Sequence, residues 1–203
     1  MSALMTTSYT LDRSGKNLTN LATGLHSTPF QHRAGHVSPN LALNPGLVYD
    51  IGTSGYDAFL CSIGYTAKQI SIFVKDRHVD CESHRLSSPG DLNYPAFAVI
   101  FRDGTMDTVT YKRTVTNVGS SPSPVYDVRV FAPALVKISV TPSRLVFSET
   151  NTSLHYEITF TSKVMSAEKP EFGSIEWHGD SHVVKSPIAF TWGNSTTSLI
   201  SSQ

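Results

Sequence analysis

Charge is scarce in this 203-residue chain: Asp, Glu, Lys and Arg supply 16% of positions, against about 25% in an ordinary soluble domain. Sixteen basic residues balance sixteen acidic ones, so nothing draws the chain towards a phosphate backbone or an anionic membrane. Neither nucleic acid nor membrane is expected as a partner. No apolar run approaches the roughly 18 residues that span a bilayer. Met1 to Thr7 has neither the basic start nor the apolar stretch of an export signal. No glycine-rich loop of the phosphate-cradling kind occurs, and no cofactor is expected. Cysteine appears twice, at Cys61 and Cys81, a count that fits either a disulfide or two thiols.

Hydroxyls are plentiful instead. Ser and Thr fill 48 positions, a polar but weakly ionised surface that suits secreted all-β proteins. Three acceptor patterns for N-glycosylation, at Asn17, Asn151 and Asn194, point towards the secretory route.

The halves of the chain differ, and the change falls near Pro89-Gly90. From Asp91 to Trp192 apolar residues recur at every second position, as in Leu154, Tyr156, Ile158 and Phe160 between His155, Glu157, Thr159 and Thr161. Tyr126, Val128, Val130; Val136, Ile138, Val140; Val109, Tyr111, Val115; Ile175, Trp177; and Ile188, Phe190, Trp192 repeat the rule. Turn signals at Asp103-Gly104, Gly119 to Pro124, Pro133, Pro142, Glu149 to Thr152, Glu168 to Pro170 and Gly179-Asp180 separate seven or eight strands. No helix alternates with them. The pattern predicts an antiparallel β-sandwich, similar to an immunoglobulin or fibronectin type III domain but without an intersheet cysteine pair, since no Cys lies beyond position 81. Phe160, Trp177, Phe190 and Trp192 fall on its inward phase.

Before the sandwich, two short helices are predicted. Ser54 stands where an N-cap belongs, with Asp57 three positions on and Tyr56, Phe59, Leu60 and Ile63 forming a face that Gly64 ends. Thr66 and Gln69 form a second capping box, followed by Ile70, Phe73 and Val74. A Cys61–Cys81 disulfide would close a loop of about 20 residues around the second helix and stabilise it by roughly 3 kcal/mol. Residues 1–50 are harder to place. Ser2 to Tyr9 suits a helix; Asp12 to Asn44 is loop-like, too long to fold unaided, and is expected to be mobile, whereas 91–193 is expected to be stable alone.

Candidate chemistry is thin. Ser54 within Gly52-Thr-Ser-Gly55 resembles an exposed nucleophile, yet no strand–turn–helix elbow surrounds it and nothing assigns it a histidine and a carboxylate. Cys61, His78, Cys81 and His84 are a conceivable zinc set, but tetrahedral sites bring ligands as two tight pairs, so the disulfide is preferred and no metal is expected. His32 and His36 are four apart, with Gly35 and Pro39 arguing against a helix. His155, His178 and His182 have no same-face carboxylate neighbour except Glu157 beside His155, a solvated contact.

Taken together, these segments resemble the C-terminal part of plant subtilisin-like serine proteases. Ser2 to Thr7 is similar to the end of the helix after the family's catalytic serine. Thr28 to Pro39 and Asn44 to Asp50 resemble the close of its catalytic domain, and Tyr56 to Cys61 its helical link. Asp91 to Pro95, Arg113 to Gly119, Val140 to Pro142 with Leu145 and Phe147, Gly173 to Trp177 with His182, and Ser186 to Ile188 resemble its fibronectin type III-like domain. The resemblance implies a mainly β chain divided into a subtilisin-domain remnant of α/β type (1–50), a helical link with a disulfide (51–90), the sandwich (91–193) and a flexible tail (194–203). It implies an extracellular or cell-wall location, and as partner a protein: the family's catalytic portion or another secreted protein. The family's Asp, His, oxyanion Asn and Ser motifs all precede Met1, so no catalytic residue carries over and no activity is expected from this chain alone. Two departures stand out: Arg33 occupies a position where the family usually has Gly, and Ala96 one where it usually has Ser. A free-standing protein-binding sandwich is the competing expectation.

Overall fold

A computed structural model describes residues 1–193. Eight strands between Phe97 and Trp192 form two sheets, and a ninth comes from an unexpected place. Strands β1 (Leu47–Val48), β3 (Thr108–Asn117), β7 (Ser153–Ser162) and β5 (Val136–Thr141) lie side by side in that order. Facing them are β2 (Phe97–Phe101), β9 (Val183–Trp192), β8 (Glu171–His178), β4 (Val125–Phe131) and β6 (Arg144–Val146). All pairings are antiparallel except β2 with β9.

The period-two pattern explains the layers. On β7, Tyr156, Ile158 and Phe160 are buried, while His155, Glu157 and Thr159 alternate outward. Trp177, Ile175, Phe190 and Ile188 are wholly buried from the other sheet, and Trp192 packs at the margin. Aromatic rings meet edge-on inside, Phe160 against Phe190 at 5.5 Å and Tyr156 against Trp177 at 5.1 Å, the arrangement favoured by ring quadrupoles.

Ahead of the sandwich come α1 (Ser2–Thr6), α2 (Pro29–His32), α3 (Pro39–Ala42), α4 (Thr53–Ser62) and α5 (Ala67–Ile70). Helix α4 corrects one detail: its N-cap is Gly52, not Ser54, which sits second in the helix and caps nothing. Asp57 therefore falls on the inward side, buried, where it receives the Arg77 guanidinium. The Thr66–Gln69 capping box forms as expected, with Gln69 N–H donating to Thr66 Oγ1 and Thr66 N–H to Gln69 Oε1. Helix α5 ends after one turn, so Ile70 is buried but Phe73 is left 58% exposed.

Cys61 and Cys81 are joined in a disulfide, packed with Ile70 and Val79 in a small core of its own. Both sulfurs are consumed, which removes the thiolates a zinc site would need. Because this core is separate from that of the sandwich, reduction should melt residues 53–81 locally. A cost of about 3 kcal/mol falls on the link, with the sandwich transition unmoved; proteolysis with and without reductant checks it.

Candidate functional site

Residues 1–50 are not a separate body loosely attached to the sandwich. Leu47 and Val48 extend the first sheet by pairing with Asn117 and Thr116 of β3. Leu47 is wholly buried and Tyr49 is 3% exposed, both within the main core. The expectation that 1–50 is mobile overlooked this insertion, because a two-residue strand carries no readable period. Gly46 makes the entry possible: its φ is +76°, and a side chain there would strike Tyr126 and His182.

At the end of the insertion the Tyr49 hydroxyl lies 2.7 Å from the Tyr156 hydroxyl and 3.1 Å from Ser186 Oγ. Burial pushes both phenols up, Tyr156 well above the ordinary tyrosine range, with the neighbouring Tyr49 adding to the rise. They stay neutral and serve as hydrogen-bonding groups that fix the inserted chain. Tyr49 N–H also donates to Ser2 Oγ at 2.9 Å, tying α1 to the same point.

A second fastening lies beside the first. Asn93 donates to the carbonyls of Asp50 and Thr114 and accepts from Thr114 N–H at 2.8 Å. Asp91 accepts from Lys112 N–H at 2.9 Å. Together with β1 these groups cover the outer edge of β3, which would otherwise offer bare backbone to another strand. Arg113, 4% exposed, reaches Tyr94, Gly90 and Lys112 carbonyls at 3.0, 2.6 and 2.8 Å and lies over the Phe97 ring at 4.4 Å. Burial lowers its pKa, opposed by Tyr156, Tyr49 and Asp91.

Residues 1–43 differ from the sandwich in what they leave exposed. Ten large apolar side chains there are exposed, among them Leu21 completely, Leu43 at 86% and Leu25 at 69%. The segment is nonetheless pinned: Tyr9 and His36 exchange backbone hydrogen bonds at 3.0 and 2.9 Å, and Phe30 meets Phe172 edge-on at 5.2 Å. Across 91–193, twice the length, nine such side chains are exposed. Exposed large apolar side chains are thus denser in residues 1–43 than in the sandwich.

Comparison with known proteins agrees with the fold. Residues 91–190 match the family model described as a fibronectin type-III domain. Along nearly its whole length the sequence aligns with Arabidopsis thaliana proteins: Subtilisin-like protease SBT1.4 (51% identity, 95% of this chain), SBT1.7 (47%, 94%) and SBT1.3 (39%, 94%). The chain is a relative of the plant subtilisin-like proteases. It spans about a quarter of the length of those relatives, 26%, 25% and 24%.

In this subtilisin-like protease relative the catalytic lures resolve to ordinary contacts. Histidine rings bond to Ser27, Ser83, Thr114, Glu176 and Ser181, and none to Ser54. His155 is bound by Thr114 at 2.7 Å rather than by Glu157, which pairs with Lys112. His178 does have a same-face carboxylate, Glu176 at 2.8 Å; the pair two positions apart on β8 was missed although its spacing displays it. Asp80, Ser83 and His84 are bonded in sequence, but with the hydroxyl between carboxylate and imidazole, the wrong order for proton abstraction from a serine. His32 ends the one-turn helix α2, which the sequence had argued against; a Thr28–Gln31 capping box with Pro29 in its first turn holds that helix, and His36 lies outside it. Asn17 and Asn151 are exposed; Asn194 lies outside the described residues.

Arg33 carries a backbone anomaly. Its φ of 58° and ψ of −119° are glycine territory, and no other described non-glycine residue has a positive φ. Such a conformation costs about 1–3 kcal/mol. Arg33→Gly should therefore raise stability by about 1 kcal/mol after glycine's own entropy cost, read as a higher denaturant midpoint with unchanged slope.

Proposed function

We propose that this chain is the scaffold portion of an extracellular subtilisin-like serine endopeptidase, located C-terminal to its catalytic machinery, and that residues 1–203 hydrolyse no peptide by themselves. The density of exposed apolar side chains on the pinned segment 1–43, Leu21, Leu25 and Leu43 above all, carries this reading: they form the seat for the protease's catalytic portion. In the proposed division, 1–50 presents that seat, 51–90 is the disulfide-closed link and 91–193 is the supporting sandwich. Covering the seat with a partner protein buries apolar area whose removal from water is worth about 25 cal/mol per Å². The disulfide and the exposed sequons at Asn17 and Asn151 suit an extracellular setting.

Serine-type hydrolysis needs hydroxyl, imidazole and oxyanion donors in one rigid constellation; the partners of His32, His84, His155, His178 and His182, five of the eight histidines, support the reading that this chain supplies none. The purified 203-residue chain should remain unlabelled by a fluorophosphonate and leave casein uncut. A separately produced subtilisin-like catalytic portion should bind it, and charged substitutions at Leu21 and Leu43 should abolish that binding. Labelling at Ser54 would overturn the non-catalytic assignment; binding that ignores Leu21 and Leu43 would overturn the seat.

A further inference from the structure

Between the first 36 residues and the second sheet lies a crevice of about 200 Å³, lined by Lys185 and Ser174 of the sheet and by Thr10, Ser27, His32 and Arg33 of the N-terminal segment. That volume holds several waters at about 30 Å³ each, room for a small hydrated ion. Its lining carries three basic side chains and no carboxylate. Lys185 Nζ donates to Thr10 Oγ1 at 3.3 Å, and His32 Nδ1 lies 3.1 Å from Ser27 Oγ. Neither Lys185 nor Arg33 has an ion-pair partner among the described residues. Glu176 stands opposite Lys185 on β8, outside the lining, and is held by His178 at 2.8 Å.

We propose that this crevice binds a free tetrahedral oxyanion, phosphate or sulfate, between Lys185, His32 and Arg33. Three basic side chains line it with no carboxylate among them, and hydroxyls at Thr10, Ser27 and Ser174 are in the same lining. A tetrahedral dianion answers both features, since it accepts charge-assisted hydrogen bonds in several directions at once. The cluster also repels itself: burial first, then Lys185 and His36, lower the His32 pKa. A bound anion reverses the sign of that influence and favours the imidazolium. Arg33, the residue with the strained backbone, is itself part of the lining.

Isothermal titration of the 203-residue chain with phosphate and with sulfate, against chloride at equal ionic strength, tests the site. Saturable one-site binding is expected for both oxyanions and none for chloride. Lys185→Met should weaken binding about tenfold, the loss of one charge-assisted contact. Arg33→Gly should weaken it similarly while raising the thermal midpoint, so loss of binding is not confused with loss of fold; it decides the matter if Lys185→Met folds poorly. NMR titration of His32 should give a higher pKa in sulfate than in chloride. Equal response to chloride, or unchanged affinity in Arg33→Gly, would overturn the proposal. Neither result bears on the apolar seat, which lies on other residues.

Discussion

Replacing Tyr49 by alanine is expected to destabilise the chain by about 3–5 kcal/mol, the range for emptying a fully buried aromatic site. The side chain sits within the sandwich core although it lies more than 100 positions from its hydroxyl partners Tyr156 and Ser186. Tyr49→Phe keeps the ring but strands those two hydroxyls away from water, so a loss of about 1–3 kcal/mol is expected. Trp177 reports both, being buried and 5.1 Å from the Tyr156 ring. Denaturant unfolding followed by its fluorescence should shift in midpoint with little change in slope. A fragment beginning at residue 91 lacks Leu47 and Tyr49 together and should be at least as unstable as Tyr49→Ala. Wild-type stability in either would mean that the inserted strand is dispensable.

That expectation reverses one drawn from sequence, and the reason is instructive. Six of the sandwich strands were legible because each displays alternation, Leu154 to Phe160 above all, whereas β2, apolar throughout, and the three-residue β6 carry no period. Leu47 and Val48 pair with β3 across some 70 positions, and two residues cannot establish a period. The location of Tyr49 depends on that register and on Gly46, neither of which composition reveals. His155 illustrates the same limit: its partner, Thr114, is set by cross-strand register, whereas Glu157 merely shares its face. Glu176 and His178 were legible by the spacing rule and were overlooked. Arg33 was marked as a departure from the family's glycine; the positive φ supplies the physical meaning of that departure. The proposed seat was not legible, because Leu21, Leu25, Leu41 and Leu43 are scattered singly along the chain and sequence does not say which of them the fold leaves exposed.

Arg113 gives the second large effect. The phase Val109, Tyr111, Arg113, Val115 puts a guanidinium where an apolar residue is due, and it is indeed buried with its neighbours. Among the described residues it has no carboxylate partner; carbonyls of Tyr94, Gly90 and Lys112 and the face of Phe97 replace one. Hydrogen bonds from a charged donor are worth about 1.5–3 kcal/mol each, and water reaches some of the released carbonyls, so Arg113→Met should cost about 3 kcal/mol overall. Lysine keeps the charge but not the planar fork that serves Tyr94 and Gly90 at once, so Arg113→Lys should lose about 2 kcal/mol rather than nothing. Because these carbonyls belong to residues 90–94, both variants should first expose that stretch to protease while the sandwich stays folded, and with it the edge of β3 that Asp91 and Asn93 cover. Full stability in Arg113→Lys would show that charge alone holds the link. A graded loss, lysine smaller than methionine, with cleavage confined to 88–96, is the signature of a geometric latch holding the Gly90–Tyr94 stretch against β3.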